Sequence, residues 1–221
     1  MNHFIPLFIA PVIALVLLIL AYGGMEKKSW NLFLASFFFG LLAAIPMIVA
    51  FYYIRHNWLE HATSIRRILF FAFGVVGFLA EFFKFLFLRY KIITNEAITK
   101  PFDGILYSVM ISMGYASLAG IFFFYEWDYT GQLSTVLYSI PFANLFTGII
   151  LGFFIGMGKF RKPAFIDSLT GLGAAIFFQG FFNFCLFSED YLLLGLVAFG
   201  TLIICIMLSV KSINTDLKSM L

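Results

Sequence analysis

Charge is what this chain lacks most: only 11% of its 221 residues are Asp, Glu, Lys or Arg. Globular domains carry about a quarter, so too little is present to cover a water-facing surface of this length. Cysteine is scarce as well. Cys185 and Cys205 lie inside apolar runs without CxxC spacing, which argues against a disulfide framework or a thiolate metal site and leaves two small core residues. The three histidines, His3, His56 and His61, fall at the N-terminus or in a basic connection. HNWLEH is not HExxH, because its histidines are five apart and do not stack on one helical face, so no metal is expected there. No Gly-x-Ser-x-Gly elbow, P-loop or dinucleotide fingerprint occurs, and no cofactor is expected. The net charge of +3 is divided among short clusters between apolar runs, with no basic stripe to follow a phosphate backbone. Nucleic acid is therefore not an expected partner.

What the chain has instead is apolar length, with 62% hydrophobic residues, 32 Phe and a mean hydropathy of +1.01. Nearly all of it must be embedded in a lipid bilayer. Runs of roughly 20 residues, enough to span a hydrocarbon core, predict helices near 4–22, 30–53, 65–89, 103–125, 136–157, 164–187 and 190–209. The first is read as a membrane helix, since it has no basic n-region and no A-x-A-like cleavage site before Glu26. Short turns join all seven. The expected fold is an all-α polytopic membrane protein, about seven transmembrane helices in one bundle, forming a single membrane domain over residues 1–221.

The connections alternate in charge. Lys27 and Lys28, then Arg89, Lys91 and Lys100, then Lys159, Arg161 and Lys162, and finally Lys211 and Lys218 mark one side, which the positive-inside rule assigns to the cytoplasm. Glu126 with Asp128 and Glu189 with Asp190 mark the other. The N-terminus is then outside and the C-terminus cytoplasmic. Arg55, Arg66 and Arg67 break the pattern in the second connection, where long basic side chains can snorkel on either side. Trp30, Trp58 and Trp127 lie near helix ends, as interfacial anchors do.

Between Arg67 and Arg89, the stretch ILFFAFGVVGFLAEFFKFLFL carries an acid and a base within a membrane span. Glu81 and Lys84 are three residues apart and share a helical face, so each partly neutralises the other. Ionisable groups at membrane depth usually face a bundle interior or a water-filled cavity, which makes this pair the leading candidate site. An ion pair that only orients the helix is the structural alternative. At 1.5 Å rise per residue Glu81 lies about 12 Å from the cytoplasmic helix end, with Asn144 and Gln179 nearer mid-membrane. Asp103 opens the fourth helix, Tyr107 follows on its face at i+4, and Asn183 repeats that relation to Gln179. Any of these could instead be an interhelical hydrogen bond. Glycines in DGILYSVMISMGYASLAG, PFANLFTGIILGFFIGMG and GLGAAIFFQGFFNF are spaced by helical turns, as close helix packing requires.

The ordered series AEFFK, FDGILYSVMISMGYA, PFANLFTG and FFQGFFNF resembles the PrsW-type intramembrane peptidases, relatives of the CAAX prenyl endopeptidase and bacterial Abi membrane proteins. The likeness covers helices over roughly 65–187, and its most specific element is Phe102, Asp103, Gly104, Tyr107, Gly114 and Ala116 in order and spacing. The resemblance implies a bacterial inner-membrane protein whose substrate is a transmembrane segment of another membrane protein. It also implies site residues at Glu81, Lys84, Asn144, Gln179 and Asn183, supported by Asp103 and Tyr107. The chain departs where chemistry is expected: Ala80 stands for the first Glu of Glu-Glu-x-x-Lys, Asn144 for one histidine, and Gln179 for another, with Asn183 retained. Asn and Gln can donate to an oxyanion but cannot take and return a proton. Weakened or lost catalysis is therefore expected. Two other readings stay open: a small proton- or ion-coupled transporter using Glu81 and Lys84, although no internal repeat is visible, and a non-catalytic membrane scaffold.

Overall fold

The computed structural model describes residues 4–22, 27–54, 64–126 and 133–219, and every regular element among them is helical. A 3₁₀ turn at Ile5–Phe8 leads into α1 (Ile9–Tyr22). There follow α2 (Lys27–Ile54), α3 (Ile65–Ile92), α4 (Pro101–Glu126), α5 (Leu133–Lys159), α6 (Ala164–Phe187) and α7 (Tyr191–Ser219). Each expected apolar run has its helix. Among the described residues six of these, α2 to α7, are long and apolar enough to cross a membrane, while the apolar stretch Ile5–Leu20 is shorter. The last helix continues ten residues past the expected boundary at 209, because KSINTDLKS contains no Gly or Pro to stop it. The three histidines, Trp58, Trp127, Arg55 and Asp128 lie outside the described residues.

Lipid offers no hydrophobic drive for helices to associate, so close contact depends on small residues. Along α4, Gly104, Ser108 and Ser112 recur every fourth residue and meet Gly156, Gly152 and Gly148 of the antiparallel α5. A Cβ on Gly104 would stand 2.6 Å from the Gly156 Cα, and one on Gly148 would stand 2.6 Å from Ser112 Oγ. No larger side chain fits this seam. Gly40 of α2 lies against Gly114 of α4 in the same way, and Gly77 of α3 against Gly180 of α6. The result is a centre built on α4 and α5, flanked by α2, α3 and α6, with α7 on the periphery.

Winding in α3 is not uniform. Residues Phe70–Gly77 and Leu88–Ile92 are π-wound, with the Phe78 N–H donating to the Phe73 carbonyl and the Ile93 N–H to the Leu88 carbonyl at 2.9 Å. They bracket ten residues of regular α-helix, Phe78–Phe87, which carry Glu81 and Lys84. Wide turns of this kind occur mostly as single-turn bulges inside α-helices, frequently at functional sites.

Two connections meet at one end of the bundle. Lys159 Nζ at the end of α5 donates to the carbonyls of Asn95 (2.7 Å) and Ile98 (3.0 Å) in the α3–α4 connection. The basic clusters around Lys100 and Arg161 are thereby brought to the same end.

Candidate functional site

Three residues apart on the regular segment of α3, Glu81 and Lys84 must point the same way, and that way is inward: they are 0% and 1% exposed. Lys84 Nζ lies 2.6 Å from Glu81 Oε1. It also reaches across to α5, donating to Asn144 Oδ1 at 2.9 Å and to Thr147 Oγ1 at 3.4 Å. The ring of Tyr115, from α4, faces the ammonium with its centroid 5.0 Å away. An ammonium has three N–H donors, and here three acceptors stand within hydrogen-bonding reach of it, with an aromatic face beside the group. Asn144 is held in turn, because its Nδ2 donates to the Ile140 carbonyl at 2.9 Å and so presents Oδ1 to Lys84.

This arrangement leaves specific groups unused. Among the described residues Glu81 Oε2, Ser112 Oγ and Gln179 Oε1 are buried without a hydrogen-bond partner. Ser112 abuts Gly148, next to Thr147. An ionised carboxylate can only accept, so the free valence beside Lys84 suits a donor.

The other expected residues fall elsewhere. Gln179 and Asn183 are buried on α6, where Asn183 Nδ2 donates to the Gln179 carbonyl at 2.9 Å, and neither hydrogen-bonds to the Lys84 cluster among the described residues. Asp103 works at the start of α4, its Oδ2 accepting from the backbone N–H of Thr99 (2.8 Å) and Lys100 (2.9 Å) and from Thr99 Oγ1 (3.3 Å). That is the reach-back half of a capping box. Tyr107, 1% exposed, packs edge-on against Phe33 of α2 at 5.3 Å. The structure thus joins Glu81, Lys84 and Asn144, and adds two residues that sequence reasoning missed. Thr147 was findable, being at i+3 from Asn144 on the same face. Tyr115 carried no signal beyond following Gly114, whose contact with Gly40 seats α4 against α2.

The model of the family described as PrsW family intramembrane metalloprotease matches residues 28–210. The chain belongs to the PrsW family. Among its relatives, the Protease PrsW of Shouchella clausii is 27% identical over 196 residues, covering 86% of this chain and 87% of the relative. That of Oceanobacillus iheyensis is 26% identical and covers 80% of each. The Protease PrsW of Bacillus subtilis is 24% identical over 69% of this chain and 67% of its own. No solved structure matches.

The family description names a metalloprotease, and the residues around Glu81 do not fit a metal. Among the described residues no three His, Cys, Asp or Glu come together in a way that could hold an ion. Catalytic zinc takes three protein ligands from His, Cys and carboxylate, with the fourth position open. In this PrsW-family chain the cluster offers one carboxylate and one amide oxygen, both already bound to an ammonium.

Proposed function

We propose that this PrsW-family protein binds transmembrane segments of other membrane proteins in a bacterial cytoplasmic membrane, at the polar interior beside Glu81, and that hydrolysis there is weakened or lost. The observation that carries this reading is the saturation of Lys84 by Glu81, Asn144 and Thr147. Amide hydrolysis needs a group to take a proton from water, a group to return one to the leaving amine, and donors for the oxyanion. Lys84 has no donor left to offer, and Asn144, where the family resemblance expects a histidine, cannot exchange a proton. Positioned acid–base assistance contributes about 10²–10⁴-fold and an oxyanion donor about 10²–10³-fold, so the missing parts matter on that scale.

What persists is recognition. Glu81 Oε2 accepts a hydrogen bond from an N–H or hydroxyl of an inserted segment, and Gln179 Oε1 on α6 offers a second acceptor. Asn183 continues that polar lining, while Asp103 and Tyr107 fix the start of α4. The helices over 65–187 hold all of these residues.

Co-reconstitution with candidate single-span proteins, with a photocrosslinker at Phe182, which is three residues from Gln179 on the same face of α6 and lies against Phe146 of α5, tests the reading. The expected outcome is crosslinking to a client span with cleavage absent, or at least about 10²-fold slower than by a relative assayed alongside. Efficient cleavage that Glu81→Gln abolishes would make the chain an active glutamic peptidase and overturn the loss of catalysis. Proton-coupled uptake into sealed vesicles, abolished by Glu81→Gln or Lys84→Met, would assign the pair to transport instead.

A further inference from the structure

We infer that Lys84 is the resident cation of this site, its ammonium standing where a divalent metal would have to bind, so that the protein is metal-free by construction. Three oxygens from two helices, Glu81 Oε1, Asn144 Oδ1 and Thr147 Oγ1, converge on one point at 2.6, 2.9 and 3.4 Å. The first two are separations of charge-assisted and ordinary N–H···O bonds and the third is a longer, weaker one, whereas zinc draws oxygen to about 2.0–2.2 Å. The Tyr115 ring flanks the ammonium, attracting a cation through its π-face and presenting no lone pair there. Such a shell is built for an ammonium.

Charge leads to the same place. One carboxylate balances one ammonium, and both are buried. A divalent ion sharing Glu81 would sit within a few ångströms of Lys84 in a medium that screens poorly, and the repulsion would go uncompensated. Among the described residues there is no histidine to supply an imidazole to this cluster. The tethered cation also fixes the carboxylate: Oε1 is held by Lys84, and Oε2 is left as a buried acceptor without a hydrogen-bond partner.

The inference does not depend on the client reading, because metal content is measured on the protein alone. The full chain, purified in nanodiscs with and without added zinc, is assayed by elemental mass spectrometry and by thermal unfolding. Expected are far less than one metal per chain, and a Tm unmoved by saturating zinc or by 1,10-phenanthroline. A ligand held only by the folded state would raise Tm, with a stabilisation that grows as the logarithm of its concentration over Kd. Near-stoichiometric zinc that Glu81→Gln removes, or a Tm that falls on chelation, would overturn it. In Lys84→Ala, ethylammonium is expected to recover part of the lost Tm and zinc none, and recovery by zinc instead would overturn it. Should that variant fail to fold, the wild-type metal content and chelator response decide the matter.

Discussion

At the scale of the residue, the site turns on a balance between two buried charges, and each partner is costly without the other. Removing one member of a buried pair strands the remaining charge and costs about 3–5 kcal/mol, whereas replacing both with apolar groups is often neutral. Lys84→Met is expected to destabilise the protein by that amount in equilibrium unfolding from micelles. The double variant Glu81→Leu/Lys84→Met is expected to recover most of it. A double variant no more stable than Lys84→Met would refute a coupled pair. Asp103→Ala makes a contrasting prediction, because that carboxylate serves the backbone N–H groups of Thr99 and Lys100 rather than the ion pair. Its loss is expected to cost about 1 kcal/mol while leaving client crosslinking unchanged. Glu81 and Lys84 were legible in the sequence because a charge inside an apolar run is its own signal. Asn144 was visible as an amide inside a span, although its bond to Lys84 was not, and Tyr115 was not legible at all. A tyrosine in an aromatic-rich span looks the same whether it faces lipid or an ammonium.

At the scale of the element, the site exists because α4 and α5 come close enough for one lysine on α3 to touch both. Gly148, Gly152 and Gly156 permit that approach, and Thr147 and Asn144 lie on the adjoining turns. Gly152→Leu would drive its Cβ to within 2.7 Å of the Ile105 Cα and the Ser108 Cβ, with backbone rather than a movable side-chain tip in the way. Such overpacking costs about 1–3 kcal/mol, and here it would also carry the α5 acceptors away from Lys84. Both stability and client crosslinking are expected to fall. Gly173→Ala and Gly200→Ala are the controls, since a Cβ at either glycine meets nothing within 4 Å; neither stability nor crosslinking is expected to fall, and the better helix propensity of Ala adds up to about 1 kcal/mol of stability. The glycine spacing was readable; the partner of each glycine was not. The π-wound turns of α3 escaped the sequence for a related reason. Apolar residues occur on every face of a membrane helix, so no amphipathic period exists whose slippage would reveal a wider turn.

At the scale of the whole molecule, the helices were easy to find and their arrangement was not. Apolar runs of bilayer length separated by charged turns mark each span directly, but the most apolar of them lie outermost. The most apolar spans, α7 and α2, are the least buried, while the less apolar α4 and α5 form the centre, because lipid tolerates only apolar groups and protein interiors accept hydroxyls and amides. The expected orientation of the bundle rests on charge alone. Lys159 bonded to the Asn95 and Ile98 carbonyls brings the α3–α4 and α5–α6 connections to one end, where Lys91, Lys100, Arg161 and Lys162 gather. Three crossings, α4, α5 and α6, then carry the chain to Ser188, Glu189 and Asp190 at the other end. Cysteine labelling in intact cells tests this, using a Cys185→Ala/Cys205→Ala background in which both buried native thiols are absent. Thr94 and Ser188 are exposed and uncharged, so Thr94→Cys and Ser188→Cys report on the two ends without altering the charge pattern that sets topology. A membrane-impermeant maleimide is expected to label Ser188→Cys in intact cells and Thr94→Cys only after permeabilisation. The reverse pattern would invert the bundle and place the N-terminus inside. Labelling of both positions in intact cells would mean that α4, α5 and α6 do not make three crossings, and the enclosure of Lys84 between α3, α4 and α5 would fail with them.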